Sequence, residues 1–146
     1  MKPSLKAGLK HRFNYVVPET QTVQAVFPEA PMFQSMPRVF ATPFMVGLME
    51  WTCMQLIEPH LDPGEGSLGI HVNFSHDAPT PPGLTVAVDA VCTSVAGRLL
   101  SFDVKAHDGF DLIGQGTHQR FVVALEQFNA TVADKARRSN AAVARA

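Results

Sequence analysis

The sequence predicts an α+β fold in which a five-stranded antiparallel sheet wraps around one long apolar helix. Three observations carry that prediction. The run from Ala41 to Ile57 holds one charged residue, Glu50, so it reads as a helix with protein on nearly all sides. From Ser67 to Leu125 apolar residues recur at every second position, the period of strands with one buried face. A lone strand-like segment, Arg12 to Val17, precedes the helix and ends at Pro18. One strand, a buried helix and four further strands is an α+β order with the helix on one side of the sheet.

Each element follows from local chemistry. Between Glu19 and Arg38, Pro28, Pro31 and Pro37 break a segment that carries Val23, Val26, Phe27, Phe33 and Met36. Apolar residues in a proline-broken stretch point to a flap that lies on something. Thr42-Pro43 marks a helix start, a hydroxyl able to cap followed by proline at the first helical position. The helix is expected to run to about His60, with Pro63-Gly64 closing it. Ile70, Val72 and Phe74 then point one way while His71, Asn73 and Ser75 point the other. The proline-rich Ala78 to Gly83 makes a turn, and Leu84, Val86, Val88, Ala90 and Cys92 line one side of the next strand. Ala96-Gly97 is a hairpin turn, Leu100, Phe102, Val104 and Ala106 line a third strand face, and Asp108-Gly109 turns the chain into a last strand, Asp111 to Leu125. These strands exceed the usual length of about 5–6 residues, long enough to curl around a helix. The Ala-rich tail from Glu126 to Ala146 reads as a short helix that frays. The whole chain, 1–146, reads as a single domain with its core over about 12–129.

Composition excludes several function classes. Twelve Lys and Arg against thirteen Asp and Glu leave a formal net charge of -1, which offers no electrostatic footprint for nucleic acid. The two cysteines, Cys53 and Cys92, have neither a metal spacing nor a disulfide framework, and a reducing cytoplasm fits them. The lead, with Lys2, Lys6, Lys10 and Arg12, has no apolar stretch of signal-peptide length. The 41–57 run is too short, and too interrupted by Pro43, Glu50 and Gln55, to span a bilayer. No His-Glu-x-x-His motif, Gly-rich phosphate loop or Gly-x-Ser-x-Gly elbow occurs, so neither a metal nor a cofactor is expected.

A few residues can carry chemistry. Burying the Glu50 carboxylate is costly unless something pairs with it; the structural explanation is a neighbouring Arg or backbone amides, the functional one a base or nucleophile. His76 takes the place of an apolar residue at the end of the Ile70–Val72–Phe74 face, either as a core histidine satisfied by backbone or as an acid, base or orienter beside Glu50. Thr42 is explained by capping alone, yet a helix N-terminus also presents free amides that can hold an oxyanion. Thr42 and Glu50 are eight residues apart, about 12 Å along a regular helix, so they act on different parts of a substrate or the first turn is distorted. Arg120 shares a strand face with Gly114, Gly116 and His118, and glycines in a strand admit a ligand or another backbone. Gly69 has the same two readings, a bulge or an approach point for a ligand.

Val39 to Trp51, Pro63 to Gly69, Thr80-Pro-Pro-Gly-Leu-Thr85, and Ile113 to Arg120 with Phe128-Asn129 together resemble the fluoroacetyl-CoA thioesterase family of hot-dog hydrolases, over about Phe13 to Asn129. The resemblance implies a hot-dog fold and hydrolysis of a short-chain acyl-CoA thioester, with CoA entering only as part of the substrate. It implies Thr42, Glu50 and His76 as the catalytic set, with Glu50 attacking or activating water, His76 transferring protons and orienting the carboxylate, and Thr42 holding the carbonyl oxygen. It implies Gly69 and Arg120 as acyl-binding residues, Val23, Val26, Phe33 and Met36 as an apolar lid, and a homodimer with interfacial sites. Two positions depart from the family: Met36 replaces a gating phenylalanine, and Pro43 replaces a glycine beside the threonine. Unbranched methionine closes a small acyl pocket less selectively. Two other functions suit the same fold: hydration or dehydration of acyl thioesters, and non-catalytic binding of an acyl-CoA.

Overall fold

The computed structural model describes residues 1–143. Its strands β1 (Lys10–Val16), β2 (Glu65–Phe74), β3 (Thr85–Ala96), β4 (Leu99–His107) and β5 (Leu112–Ala124) form one antiparallel sheet in the order β1-β3-β4-β5-β2. A single helical turn, α1 (Pro31–Gln34), lies in the proline-broken segment, α2 (Thr42–Ile57) packs on the sheet, and α3 (Leu125–Val143) follows β5.

The core forms where two apolar periods meet. Val86, Val88, Ala90 and Cys92 of β3 and Leu100, Phe102, Val104 and Ala106 of β4 are all buried, as the alternation predicts. They face Met45, Leu48, Met49, Cys53, Leu56 and Ile57, the stripe that α2 buries at three- and four-residue spacing. Each large aliphatic side chain so buried contributes about 1.5–3 kcal/mol relative to exposure. The opposite face of α2 is not covered, contrary to the expectation of burial nearly all round. Trp51 (46%) and Met54 (43%) are exposed, Trp51 standing edge-on to Phe13 with ring centroids 4.7 Å apart.

Three further expectations change. Thr42 is the first residue of α2 and Ala41 the cap, with no side-chain capping bond, so the Thr42 hydroxyl is free for another partner. Ile70, Val72 and Phe74 do not form one continuous face, because the β2–β5 register shifts between Gly69 and His71. That bulge reverses the parity of the strand, and Gly69 (opposite Arg120) comes to share a face with Val72 (opposite His118) and Phe74 (opposite Gly116). The tail is longer than a short fraying helix, since α3 runs nineteen residues; 144–146 lie outside the described residues.

A buried polar clamp ties the chain just ahead of α2 to the β4–β5 turn. Phe40 N donates to Thr80 O at 2.7 Å, and Thr80 Oγ1 donates to Asp108 Oδ2 at 3.0 Å. Asp108 Oδ1 accepts the N–H groups of Phe110 (3.0 Å) and Asp111 (2.9 Å), closing the β4–β5 turn. Burial pushes the Asp108 carboxyl up, but the bonds from Asp111, Phe110 and Thr80 outweigh it and hold the carboxyl below the ordinary aspartate range. With the folded value depressed, the stabilisation is present above the unfolded aspartate value of about 3.9 and is lost as pH falls through the folded one. Asp108→Ala leaves three donors without their acceptor, and urea unfolding should show a loss of about 1–3 kcal/mol.

Candidate active site

Thr42 and His76 meet. The chain leaves β2 at Phe74 but keeps bonding to β5, Ser75 N to Gln115 O and Asp77 N to Ile113 O, both at 2.8 Å, and these bonds fix His76 between them. Gly114 makes this approach possible, because a Cβ there would stand 2.5 Å from Ser75 O. His76 Nδ1 then lies 2.7 Å from Thr42 Oγ1, in the first turn of α2. Its Nε2 is buried with no hydrogen-bond partner among the described residues. Burial lowers the His76 value below that of ordinary histidine, with the Ala78 backbone and Asp77 pulling the other way. A neutral imidazole beside a hydroxyl at a helix N-terminus is a proton acceptor next to free amides.

Glu50 lies two turns further along α2 with different partners. Its Oε1 is 3.4 Å from Arg120 Nη1 and 3.4 Å from His118 Nε2, and its side chain is 31% exposed, at the rim of the core. The expected Glu50–His76 enclosure is therefore two enclosures within one chain: His76 lies against Thr42, and the Glu50 carboxylate lies against Arg120 and His118. The separation follows from the regular helix, which spaces residues eight apart by about 12 Å.

Arg120 is almost wholly buried, and its donors are taken up inside the protein. Nε donates to Ser67 Oγ and Nη2 to Ser67 O, each at 2.8 Å, while Nη1 turns toward Glu50 and His118. Burial pulls the guanidinium below its usual value and Glu50 pulls it back up. Gly69 lies directly over the carboxylate: a Cβ built there would overlap Glu50 Oε1 and stand 3.3 Å from His118 Cε1. The bulge reading of Gly69 holds, and the group that approaches its backbone is Glu50. Cys53, beneath this network, has its thiol pushed up to about 12 by burial, which makes it an inert core residue.

The flap closes mainly on itself. Two 3-10 turns, Glu19–Gln21 and Val23–Ala25, lead into α1, and the two ends of the flap are tied by the Thr22–Phe40 bridge and the Ala41 N to Gln21 O bond. The Gln24 side-chain amide donates to Met36 O, Gln34 Nε2 donates to Gln24 O at 2.9 Å, and the Phe27 and Phe33 rings stand edge to face. Val23, Val26 and Phe33 are half-buried, whereas Phe27, Met32 and Met36 are exposed. Among the described residues of one chain nothing covers those three.

His118 and Ser67 also belong to the Glu50 site, beyond the candidate residues that the sequence offers. A signal existed for His118, which lies two residues before Arg120 on the same strand face. Nothing local marks Ser67, which reaches Arg120 only through the β2–β5 pairing.

The histidines set a pH dependence. Burial lowers His118 as it does His76, opposed by the His71 carbonyl and Glu50. The unfolded chain therefore binds protons near the ordinary histidine value of about 6.5 that the folded protein refuses, so stability rises with pH through that region. The melting temperature should fall between pH 7.5 and pH 5.5, and a flat profile would contradict the burial of both rings.

Known proteins resemble this chain over most of its length. Residues 17–126 match the family model for fluoroacetyl-CoA-specific thioesterase. The fluoroacetyl-CoA thioesterase of Streptantibioticus cattleyicolor is 53% identical over 135 residues, covering 92% of this chain and 97% of that protein. A solved structure of a fluoroacetyl-CoA thioesterase superposes with a TM-score of 0.88 at 53% identity, over 90% of this chain and 98% of that one. A Thermus thermophilus thioesterase superfamily member gives 0.85 at 30% identity, over 97% and 99%. A helix held against a five-stranded sheet in the order β1-β3-β4-β5-β2, with these matches across most of its length, makes this chain a member of the fluoroacetyl-CoA-specific thioesterase family on the hot-dog fold.

Proposed function

We propose that this protein hydrolyses a short-chain acyl-CoA thioester to the free acid and CoA, with fluoroacetyl-CoA among its candidate substrates. The observation that carries the reading is the Thr42–His76 hydrogen bond at the N-terminus of the helix that presents Glu50 two turns later. Thr42 and the free amides of that first turn receive the thioester carbonyl oxygen as charge develops on it. Neutral His76 takes and returns protons there. Because one helix holds Thr42 and Glu50 about 12 Å apart, the carboxylate that attacks the carbonyl carbon, or activates the water that does, is Glu50 of a second copy across the dimer interface. Solvent oxygen found in the Glu50 side chain after turnover in labelled water would mark the attack, and an unlabelled carboxylate the activated water. The half-buried Val23, Val26 and Phe33, with Met36, form the apolar wall over the acyl group. Gly69 and Arg120 bound the acyl end through the position they give the carboxylate. No cofactor is required beyond the CoA of the substrate.

The working unit in this reading is a homodimer. β2 is an edge strand with Ile70 (54%) and Val72 (43%) exposed, and the flap leaves Met32 and Met36 uncovered. An apolar, open strand edge invites pairing with another strand. Because Glu50 lies against Gly69 in β2, pairing along this edge brings a second copy close to the carboxylate.

The test is thiol release from fluoroacetyl-, acetyl-, propionyl- and phenylacetyl-CoA, with light scattering for the assembly. Selective release from the fluorinated thioester would make Met36 an adequate gate. Release from other acyl groups would keep the chemistry and move the substrate. An enoyl product without free thiol would favour a hydratase, and tight binding without turnover a binding module.

A further inference from the structure

We propose that His118 is a positioning residue for Glu50, acting through Arg120, a role that rests on the thioesterase reading above. The ring is wholly buried between Phe74 and Phe102, with centroids 6.0 and 6.2 Å away, a place an apolar side chain would fill as well. Its nitrogens, however, are both engaged. Nδ1 lies 2.7 Å from His71 O, and a carbonyl can only accept, so Nδ1 carries the proton. Nε2 faces the guanidinium of Arg120, so it meets that group as a lone pair, and burial favours the neutral ring.

That lone pair faces Arg120 Nη1 at 3.2 Å, and a guanidinium can only donate. Nη1 has two hydrogens and two acceptors within reach, His118 Nε2 and Glu50 Oε1. The remaining donors that face protein are held by Ser67 Oγ and Ser67 O. The His71 carbonyl thus fixes the tautomer of His118, the tautomer takes one hydrogen of Nη1, and the other hydrogen is left directed at the carboxylate. Without the Nε2 lone pair, Nη1 has one acceptor in place of two, and the Glu50–Arg120 pair closes on itself. The carboxylate then shifts from the place that Gly69 leaves for it.

Three replacements separate aiming from packing. Glutamine can place its carbonyl oxygen where Nε2 stands and accept from Arg120; asparagine can only replace the Nδ1–H that reaches His71 O; phenylalanine keeps the ring and neither function. For thiol release from the best thioester, we expect His118→Gln to stay within about threefold of wild type in kcat. His118→Asn and His118→Phe should lose about tenfold to a hundredfold in kcat with KM little changed, the scale of a misplaced catalytic group. In a Glu50→Gln background the asparagine change should add no further loss, because residues acting through one group are not additive. Equal kcat for folded His118→Gln and His118→Asn, whatever their melting temperatures, would overturn the role of His118 and leave the thioesterase reading intact. No thiol release by the wild-type protein would overturn that reading and this inference together.

Discussion

Glu50→Gln is expected to lower kcat for thiol release by about 10²–10⁴-fold, the range for loss of a positioned acid–base group, while leaving the fold intact. The replacement is isosteric, and its amide oxygen still accepts from Arg120 Nη1, now 3.4 Å from Glu50 Oε1. Arg120 also keeps both bonds to Ser67, so the network that ties β5 to β2 does not depend on the negative charge. A neutral amide can neither take a proton from water nor attack an acyl carbon. Steady-state thiol release beside a thermal melt reads the two consequences separately. A fall in kcat with an unchanged melt places Glu50 in the chemistry. Equal losses in both would make it a structural ion-pair partner of Arg120.

Gly69→Ala should cost nearly as much without altering the chemistry of any reacting group. Among the described glycines, Gly69 is the one whose missing Cβ is replaced by the Glu50 carboxylate, with His118 Cε1 behind it. A methyl group there requires the carboxylate to move by about its own van der Waals contact, and a displacement of about 1 Å at a catalytic group lowers rates by about 100-fold. The neighbouring core is filled by His118 and the rings that flank it, so overpacking adds a stability loss of about 1–3 kcal/mol. Kinetics and urea unfolding on the same variant check both numbers. A variant as active as wild type would mean that Glu50 is free to work from another position.

Periodicity made most of the architecture legible. Val86 to Cys92 and Leu100 to Ala106 alternate cleanly, because β3 and β4 are central strands with one face on α2. The pattern misled in β2, where Ile70 and Val72 look like core positions. β2 is an edge strand with a bulge after Gly69, and neither an edge nor a bulge changes the alternation of residue types. The length of α3 is likewise not legible in the sequence, since an alanine-rich stretch with scattered charges shows little beyond helix propensity.

Residue chemistry singled out Glu50, because a carboxylate inside an apolar helix is conspicuous in any sequence. The same holds for Thr42 before a proline and for a histidine at the end of a strand face. Which of them touch was not legible. One regular helix places Thr42 and Glu50 about two turns apart, and β2 ends so that His76 meets the first and not the second. The partners of Glu50 come instead from β5, seventy residues away for Arg120, through a register that one bulge decides. Sequence by itself determined the periods, the helix and the conspicuous polar residues, because these depend on local spacing. Tertiary structure alone decided the pairing of those residues, because strand order and register bring together side chains that no local pattern relates.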